Sequence, residues 1–211
     1  MKKFIYSLFL IALAISSCKK EVQRPQQQVR IIDYDTRQGI GNVEIKVFGK
    51  GGYWGPFPTD GPLRQDVLTG ADGKASLDIE QDGDVHLSAT GYLGRSLGMP
   101  YAKGDVEMIK SAKLEVEFVN AHLMQGTIQS IQVKFSLDPQ LSAINGDIPF
   151  WTPIDPSKSS QVISFKGAAG KINNVGASIV SQLDSVNVVS KDTTIQVIPV
   201  GSGTTRVQFK Y

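Results

Sequence analysis

The sequence is poor in the residues from which most catalytic and metal sites are built. It contains one cysteine, Cys18, and two histidines, His86 and His122. A lone cysteine excludes an internal disulfide framework, and neither histidine has a partner at the spacing of a zinc ligand set. No nucleophile motif surrounds a serine. We therefore predict no catalytic residues, no metal site and no cofactor, and we expect that the protein is not an enzyme.

Long apolar runs are also missing, with one short exception at the N-terminus. Lys2 and Lys3 precede an apolar run over residues 4–15, which is shorter than the ~20 residues of a membrane-spanning helix. A positive start, a short apolar stretch and small residues before a boundary are typical of a secretory signal peptide, here residues 1–17. A buried N-terminal helix is the alternative, but it explains neither the leading lysines nor the polar residues that follow.

The single cysteine comes directly after this run. The sequence Ile15-Ser16-Ser17-Cys18 resembles the lipobox of bacterial lipoproteins, in which small residues precede a cysteine. The resemblance implies that Cys18 is lipidated on sulfur, becomes the N-terminus after cleavage and is acylated on its new amino group. Several acyl chains, at ~0.8 kcal/mol per buried CH₂, anchor a protein effectively permanently. We expect a membrane-anchored lipoprotein of the bacterial cell envelope, at the outer membrane, on its periplasmic or its surface face.

An excess of one charge is lacking once the signal peptide is removed. Residues 1–17 contain two lysines and no acidic residue, which leaves 20 basic and 20 acidic side chains in the predicted mature chain. A neutral chain without a basic run has no electrostatic basis for binding nucleic acid, and we predict none. Residues 18–27 are polar with one proline, so they are predicted to form a flexible, lipidated tether.

No segment after the tether shows a sustained helical period. Apolar and polar residues alternate in short runs bounded by Gly, Asp, Asn and Pro, which predicts antiparallel strands and an all-β fold. Asp72-Gly73 and Asp82-Gly83 are predicted to close hairpins, because glycine tolerates the positive φ of tight turns. The predicted strands of the first half are residues 29–34, 43–48, 67–68, 75–79, 85–90 and 106–109.

A pattern spread over the first half points to a known family. It consists of Asp33 at the end of a strand, Thr36, Gly39-Ile40, the Asp72-Gly73-Lys74 turn and the closing Ala89-Thr90-Gly91-Tyr92. Residues 28–98 with these features resemble the carboxypeptidase regulatory-like domain. The resemblance implies a transthyretin-like β-sandwich without catalytic residues, placed here at residues 28–110, as occurs in lipoproteins of the Bacteroidota. An insertion at residues 50–64, rich in Gly, Pro and aromatic residues, departs from the family pattern.

The second half resembles no family that we identify. Its short strands predict a second β-sandwich, immunoglobulin-like in general plan, over residues 111–211, with the domain boundary between Gly104 and Lys113. No internal repeat is evident. The last two strands are predicted to form a hairpin closed by Gly201-Ser202-Gly203, and Pro199 places its strand at a sheet edge or a bulge. The predicted strands are residues 113–119, 131–137, 161–165, 171–180, 186–189, 193–200 and 205–211.

Five acidic residues close together in the first half raise the alternative of a calcium site. Calcium takes six to eight oxygen ligands, but no EF-hand pattern is present and two of the five already occupy predicted turns. Turn chemistry is therefore favoured over a metal site. The five residues are Asp72, Asp78, Glu80, Asp82 and Asp84.

Both tryptophans lie in segments rich in proline and glycine. Aromatic residues on loops of a rigid β scaffold suit stacking on sugars or contact with a protein, so they are candidate ligand-binding residues. The alternative, which we favour, is that these segments cover a core or a domain joint. The candidates are Tyr53, Trp54 and Phe57 in the first segment and Phe150 and Trp151 in the second.

These features predict a non-catalytic, lipid-anchored envelope protein that acts as a binding or assembly module. Its expected partners are the membrane, through lipid on Cys18, and either another envelope protein or a polysaccharide. The alternative function is a glycan-binding accessory lipoprotein that captures polysaccharide with aromatic loops. A third class, an enzyme, would need a site that the sequence does not show.

Overall fold

The structure is built almost entirely of β-strands, as predicted. The computed structural model describes residues 25–54, 57–78, 83–98, 101–119, 128–141, 152–155, 158–183, 186–201 and 203–210. Within these ranges sixteen strands form five sheets. The strands are β1 (Gln26–Asp33), β2 (Glu44–Gly49), β3 (Gly52–Trp54), β4 (Phe57–Thr59), β5 (Leu63–Leu68), β6 (Lys74–Asp78), β7 (Gly83–Ser88), β8 (Arg95–Gly98), β9 (Gly104–Met108), β10 (Ser111–Val119), β11 (Ile128–Leu137), β12 (Thr152–Ile154), β13 (Ser160–Ala168), β14 (Asn173–Leu183), β15 (Val186–Val197) and β16 (Thr204–Lys210).

Strands β1 to β9 form the first β-sandwich. One sheet has the order β6-β1-β9, the other has the order β5-β2-β7-β8, and β3 and β4 form a separate hairpin. The period of two places alternate residues on the inner face: Val43, Ile45 and Val47 are buried, whereas Lys46 lies outside and pairs with Glu44 at 2.9 Å. The inner faces of the two sheets close one hydrophobic core, which includes Ile31, Val43, Ile45, Leu77, Val85 and Met108.

Strands β10 to β16 form a second β-sandwich. Its sheets have the orders β13-β10-β16 and β12-β11-β14-β15. The predicted stripe of Leu114, Val116 and Phe118 is buried, and the ring of Phe118 stacks on that of Phe209 with centroids 5.5 Å apart. Burial of such side chains stabilises a fold by about 1.5–3 kcal/mol each, so the alternation is the main reason why these segments form facing sheets.

The two sandwiches repeat one strand topology. If the β3–β4 hairpin is set aside, the seven strands of the first sandwich correspond in chain order to β10 through β16, and both sheet orders then match. In each sandwich the first strand pairs in parallel with the last strand, β1 with β9 and β10 with β16. The chain is therefore a tandem of one architecture, and the β3–β4 hairpin of the first copy has no counterpart among the described residues of the second.

Three predicted hairpins are wrong, although the strands around them exist. The Asp72-Gly73 turn forms, but β5 pairs with β2 while β6 pairs with β1. Likewise β7, which follows Asp82, pairs with β2 and β8 instead of β6. At Gly201-Ser202-Gly203 the chain also changes sheet, because β15 pairs with β14 and β16 with β10. Turn residues indicate where a chain reverses, but in a two-layer sandwich many reversals cross between the layers.

Strand boundaries differ from the prediction at several places. β1 begins at Gln26, so the last two residues of the predicted tether belong to the sandwich. Residues 186–200, predicted as two strands, contain one strand that continues to Val197, and its pairing register with β14 shifts between Ile179 and Val180. β15 lies at a sheet edge and Pro199 follows it. The short strands β3, β4, β8 and β12 were not predicted.

The pairing registers define two ends of the first sandwich. At the joint end, β1 and β9 finish and β2 begins, and the Thr69 hydroxyl donates to the carbonyl of Ile40 at 2.7 Å and accepts from the amide of Val43 at 2.9 Å. At the tether end, β1 begins, with Gln26 paired to Asp78, and β2 finishes, with Gly49 paired to Gly83. The β3–β4 hairpin thus leaves and re-enters the sandwich at the tether end.

The second sandwich packs on the joint end. The buried side chains of Leu93 and Ile109, which fall in the predicted first domain (residues 28–110), belong to the hydrophobic core of the second sandwich. The amide of Ser111 donates to the carbonyl of Gly91 at 2.8 Å, and the amide of Ala169 donates to that of Lys110 at 2.8 Å. Among the described residues, no helix has the length and apolar character needed to cross a membrane.

Substituting Gly73 tests the close approach at the joint end. Gly73 has φ +81°, and an added Cβ would lie 2.4 Å from the carbonyl oxygen of Ile31, so Gly73→Ala should lower the free energy of unfolding by about 3 kcal/mol or more. Gly91 is the matched control, because its φ is +82° but nothing lies within 4 Å of its added Cβ. Gly91→Ala should cost only about 1 kcal/mol. Equal losses in urea unfolding would contradict the packing argument.

We propose that each sandwich folds on its own. The contacts between the sandwiches determine where the chain has to be divided to obtain stable fragments. Fragments 26–110 and 109–211 should each unfold cooperatively. A fragment 111–211 lacks Ile109, which is 1% exposed in the second core, so it should be less stable than 109–211 by about 2–3 kcal/mol. Circular dichroism in urea measures the difference. If no fragment folds while the whole chain does, the two sandwiches form one folding unit.

Candidate functional site

The most highly organised polar group in the described chain is the carboxylate of Asp33, at the joint end of β1. The amides of Asp35 and Thr36 donate to its Oδ1 at 3.0 and 2.8 Å, and the Thr36 hydroxyl donates at 3.0 Å. Its Oδ2 accepts from the hydroxyl of Tyr92 at 2.9 Å and lies 3.2 Å from Nζ of Lys110. One buried side chain thereby connects the end of β1, the β7–β8 connection and the link to the second sandwich.

These contacts keep Asp33 ionised despite its burial. Burial alone would raise the pKa of this carboxyl, but the hydrogen bonds from the Thr36 amide, the Tyr92 hydroxyl, the Lys110 ammonium and the Thr36 hydroxyl outweigh it and lower the pKa to about 2. In the same network, burial and the hydrogen bond to Asp33 raise the pKa of Tyr92 to about 12. A carboxylate this strongly ionised does not act as a proton donor or acceptor near neutral pH.

A cleft of about 310 Å³ lies beside this network, where the first sandwich meets connections of the second. Lys171 reaches across it: its Nζ lies 2.5 Å from Oδ1 of Asp35 and 5.2 Å from the ring centroid of Tyr34. No serine, cysteine or histidine is among the described lining residues. Its lining consists of Tyr34, Asp138, Gln140, Leu141, Gly170, Lys171, Ile172 and Ile198.

His86 lies on the outer face of β7, as predicted. Its Nε2 is 3.5 Å from Oδ1 of Asp60 and its ring centroid is 4.8 Å from that of Phe48. Asp60 directly follows β4, so this contact connects the base of the β3–β4 hairpin to the sheet. His122 lies outside the described residues. Within the ranges that the structure describes, no group of three His, Cys, Asp or Glu residues could hold a metal ion.

The acidic residues considered for calcium are in separate local roles where they are described. Oδ1 of Asp72 accepts from the amide of Lys74 at 3.1 Å, which confirms its predicted role in the turn. The amide of Asp78 donates to Oε1 of Gln65 at 2.9 Å, and Asp84 lies in β7 paired with Gly98 of β8. Glu80 and Asp82 lie outside the described residues.

The five aromatic candidates belong to different sandwiches. Tyr53, Trp54 and Phe57 are in the β3–β4 hairpin, where Tyr53 pairs with Pro58 and Trp54 with Phe57. Phe150 and Trp151 lie outside the described residues, in the connection from β11 to β12. In the repeated topology, the β11–β12 connection corresponds to the β2–β5 connection, which carries the β3–β4 hairpin. The described beginning of the β11–β12 connection lies at the joint, where Asp138 and Leu141 line the cleft. The lipidation candidate Cys18 also lies outside the described residues.

Sequence reasoning missed the Asp33 network, although three of its members were in view. Asp33, Thr36 and Tyr92 all belong to the pattern that resembles the carboxypeptidase regulatory-like domain. The spacing of Asp33 and Thr36 is that of a side chain capping its own turn. The contact with Tyr92 spans 59 positions of the sequence, and nothing local in the sequence indicates it.

Replacing Asp33 tests the network. Asp33→Asn removes the charge that Lys110 and the turn amides stabilise, and should lower the free energy of unfolding at pH 7 by about 2 kcal/mol. Because the folded pKa of Asp33 is depressed, this contribution is present above about pH 4 and is lost as the pH falls towards 2. The difference between wild type and variant in urea unfolding should therefore shrink over that range.

Asp35→Asn is the matched control. The carboxylate of Asp35 forms a partly exposed ion pair with Lys171, and such pairs contribute little, about 1 kcal/mol or less. A pH-independent loss in Asp33→Asn, or an equal loss in Asp35→Asn, would contradict the role given to the buried carboxylate.

Comparison with known proteins gives remote structural neighbours only. No protein-family model matches the chain, and no curated protein matches it either. A streptococcal ancillary pilin aligns with 89% of this chain and 64% of its own, at 10% identity and a TM-score of 0.32. A DUF3823 family protein from Bacteroides uniformis aligns over 83% of this chain and 99% of its own, at 10% identity and a TM-score of 0.30.

A shaft pilin from Lactobacillus rhamnosus GG aligns over 89% of this chain and 98% of its own, at 12% identity and a TM-score of 0.31. Of the ancillary pilin described above, this chain spans 64%, which is less than two thirds of its length. Similarity at this level carries no inference about function.

Proposed function

We propose that the protein is a lipid-anchored component of the bacterial cell envelope, held at the outer membrane, that works by binding or assembly and not by catalysis. The observation that carries the proposal is the sequence Ile15-Ser16-Ser17-Cys18 after a short apolar run. The cysteine would serve as the lipid attachment point, and the serines as the small residues that a signal peptidase accommodates. Anchoring also explains why a chain of 211 residues has one cysteine.

The geometry of the first sandwich supports an anchor at this position. Seven residues, 19–25, separate Cys18 from the start of β1 at Gln26. A coil of this length spans about 15 Å, so the folded body stays close to the bilayer without having to unfold at its first strand. Gln27 also contributes, since its side-chain amide donates to the carbonyl of Ala102 and fixes the beginning of β1 to the β8–β9 connection.

A role in binding or assembly fits the exposed apolar residues of the second sandwich. Ile198 borders the cleft at the joint and is 58% exposed, and Val200, two residues further along, is 75% exposed. Clustered exposed apolar side chains are typical of contact surfaces between proteins. These residues support a partner protein in the envelope as the ligand of the joint region.

Glycan capture is the second candidate, and the fold limits how it could work. The hairpin with Trp54 leaves the sandwich at the tether end, whereas the connection that leads to Trp151 begins at the joint end. β1, which runs between these ends, has eight residues, equivalent to about 26 Å. The described parts of the two segments thus lie at opposite ends of the first sandwich, and we propose binding or assembly as the function.

Replacing Cys18 tests the proposed anchor. In Cys18→Ser the nucleophile for lipid attachment is gone, so the protein should move from the membrane fraction to the soluble fraction or accumulate as an uncleaved precursor. The control Ser17→Ala keeps a small residue before the cysteine and should remain in the membrane fraction. Intact mass spectrometry of the wild type should give a chain beginning at Cys18 with acyl chains attached. A soluble wild-type protein that retains Met1 would contradict the proposal.

A further inference from the structure

The tether end of the first sandwich, where β1 begins at Gln26, is the part of the described structure closest to Cys18 along the chain. Fully extended, residues 19–25 reach at most about 25 Å. The proposed lipid anchor therefore confines this end of the sandwich to the region next to the bilayer surface. The residues at this end of the sandwich are therefore the ones that would meet the lipid headgroups.

Two connections of the first sandwich that have described residues share this end, as the strand registers show. The β3–β4 hairpin continues from the end of β2, where the amide of Gly49 donates to the carbonyl of Pro62 at 3.0 Å. The β8–β9 connection is fixed to the start of β1 by the hydrogen bond from Gln27 to Ala102.

Aromatic residues are concentrated at this end. The hairpin carries Tyr53, Trp54 and Phe57 within two three-residue strands. In the β8–β9 connection Tyr101 is 76% exposed, although the neighbouring Ala102 is buried at 1%. Tyr101 is thus an aromatic side chain presented to solvent directly beside the entry of the tether.

The β3–β4 hairpin belongs to neither sheet of the first sandwich. The second sandwich builds the same two sheets from seven strands without an equivalent of β3 and β4 among its described residues. The hairpin is nevertheless fixed to the body at its base, where Asp60 meets His86 at 3.5 Å. The hairpin therefore has a defined position at the tether end, and it carries one of the two tryptophans.

We propose that the tether end of the first sandwich, formed by the β3–β4 hairpin and Tyr101, is a second membrane contact that rests in the headgroup region of the bilayer holding the lipid anchor. Tyrosine and tryptophan favour this region because each has an apolar ring and a polar group. A short tether gives the contact an effective concentration in the millimolar range. A contact too weak to recruit a soluble protein would therefore be occupied in an anchored one.

The charges at this end indicate that the contact does not depend on acidic lipids. Both signs are present among the described residues of this end. The basic residues are Lys50, Arg64 and Lys103, and the acidic residues are Asp60, Asp78, Asp84 and Asp105. The predicted mature chain is neutral as a whole. A polybasic surface would require anionic headgroups, whereas an aromatic contact should form equally on zwitterionic phosphatidylcholine.

The test uses the full-length lipidated protein in phosphatidylcholine vesicles with brominated acyl chains, which quench tryptophan fluorescence on contact. Trp151→Phe leaves Trp54 as the single tryptophan, and Trp54→Phe leaves Trp151, which directly precedes β12 of the second sandwich. Emission from Trp54 should fall by about twofold or more relative to vesicles without bromine, because an interfacial indole meets the upper acyl chains. Emission from Trp151 should not change.

This inference rests on the proposed lipid anchor, and the outcomes separate the two. If the protein co-sediments with vesicles but Trp54 is not quenched, the anchor stands and the second contact is overturned. If the protein does not co-sediment, the anchor itself fails and the contact fails with it. Equal quenching of both tryptophans would overturn the assignment to the tether end. A change in Trp54 emission with a soluble polysaccharide, without quenching by lipid, would assign the hairpin to glycan binding instead.

Discussion

The carboxylate of Asp33 fixes the point at which one sandwich passes into the next. It is 3% exposed, and burying an ionised carboxyl is costly unless hydrogen bonds and a counter-charge replace water. Here the turn amides, the Tyr92 hydroxyl and the Lys110 ammonium do so. Because Lys110 belongs to the link between β9 and β10, the same group that ends the first strand also positions the start of the second sandwich.

Because the two sandwiches share one topology, the chain passes through both from one end to the other in the same way. In each sandwich the parallel pairing of first and last strands sends the chain in at one end and out at the other. Two such units in tandem carry the chain away from its N-terminus, so the tether end and the joint end have different surroundings. The joint end is covered by the second sandwich, where Leu93 and Ile109 join its core. The tether end contains the β3–β4 hairpin and Tyr101, which is 76% exposed.

The all-β class, most strands and the buried stripes could be predicted from the alternation of apolar residues. This is because burial of the apolar side chains on one sheet face is the main contribution that stabilises a strand. Examples are Val43, Ile45 and Val47 in the first sandwich and Leu114, Val116 and Phe118 in the second. Sheet membership was not predictable, since an Asp-Gly turn such as Asp72-Gly73 reverses the chain equally well within a sheet or between sheets. The Asp33–Tyr92 contact and the shared topology depend on pairings between distant strands, which leave no local signal.

The central claim is that the first sandwich rests on the membrane with its tether end. Neutron reflectometry of the lipidated protein on a supported phosphatidylcholine bilayer measures this directly, as the profile of protein density against distance from the headgroups. The account predicts protein density that begins at the headgroups without an intervening water layer. A hydrated gap of about 15 Å, equal to the span of a free seven-residue tether, would show that the body is held by the anchor alone and would contradict the claim.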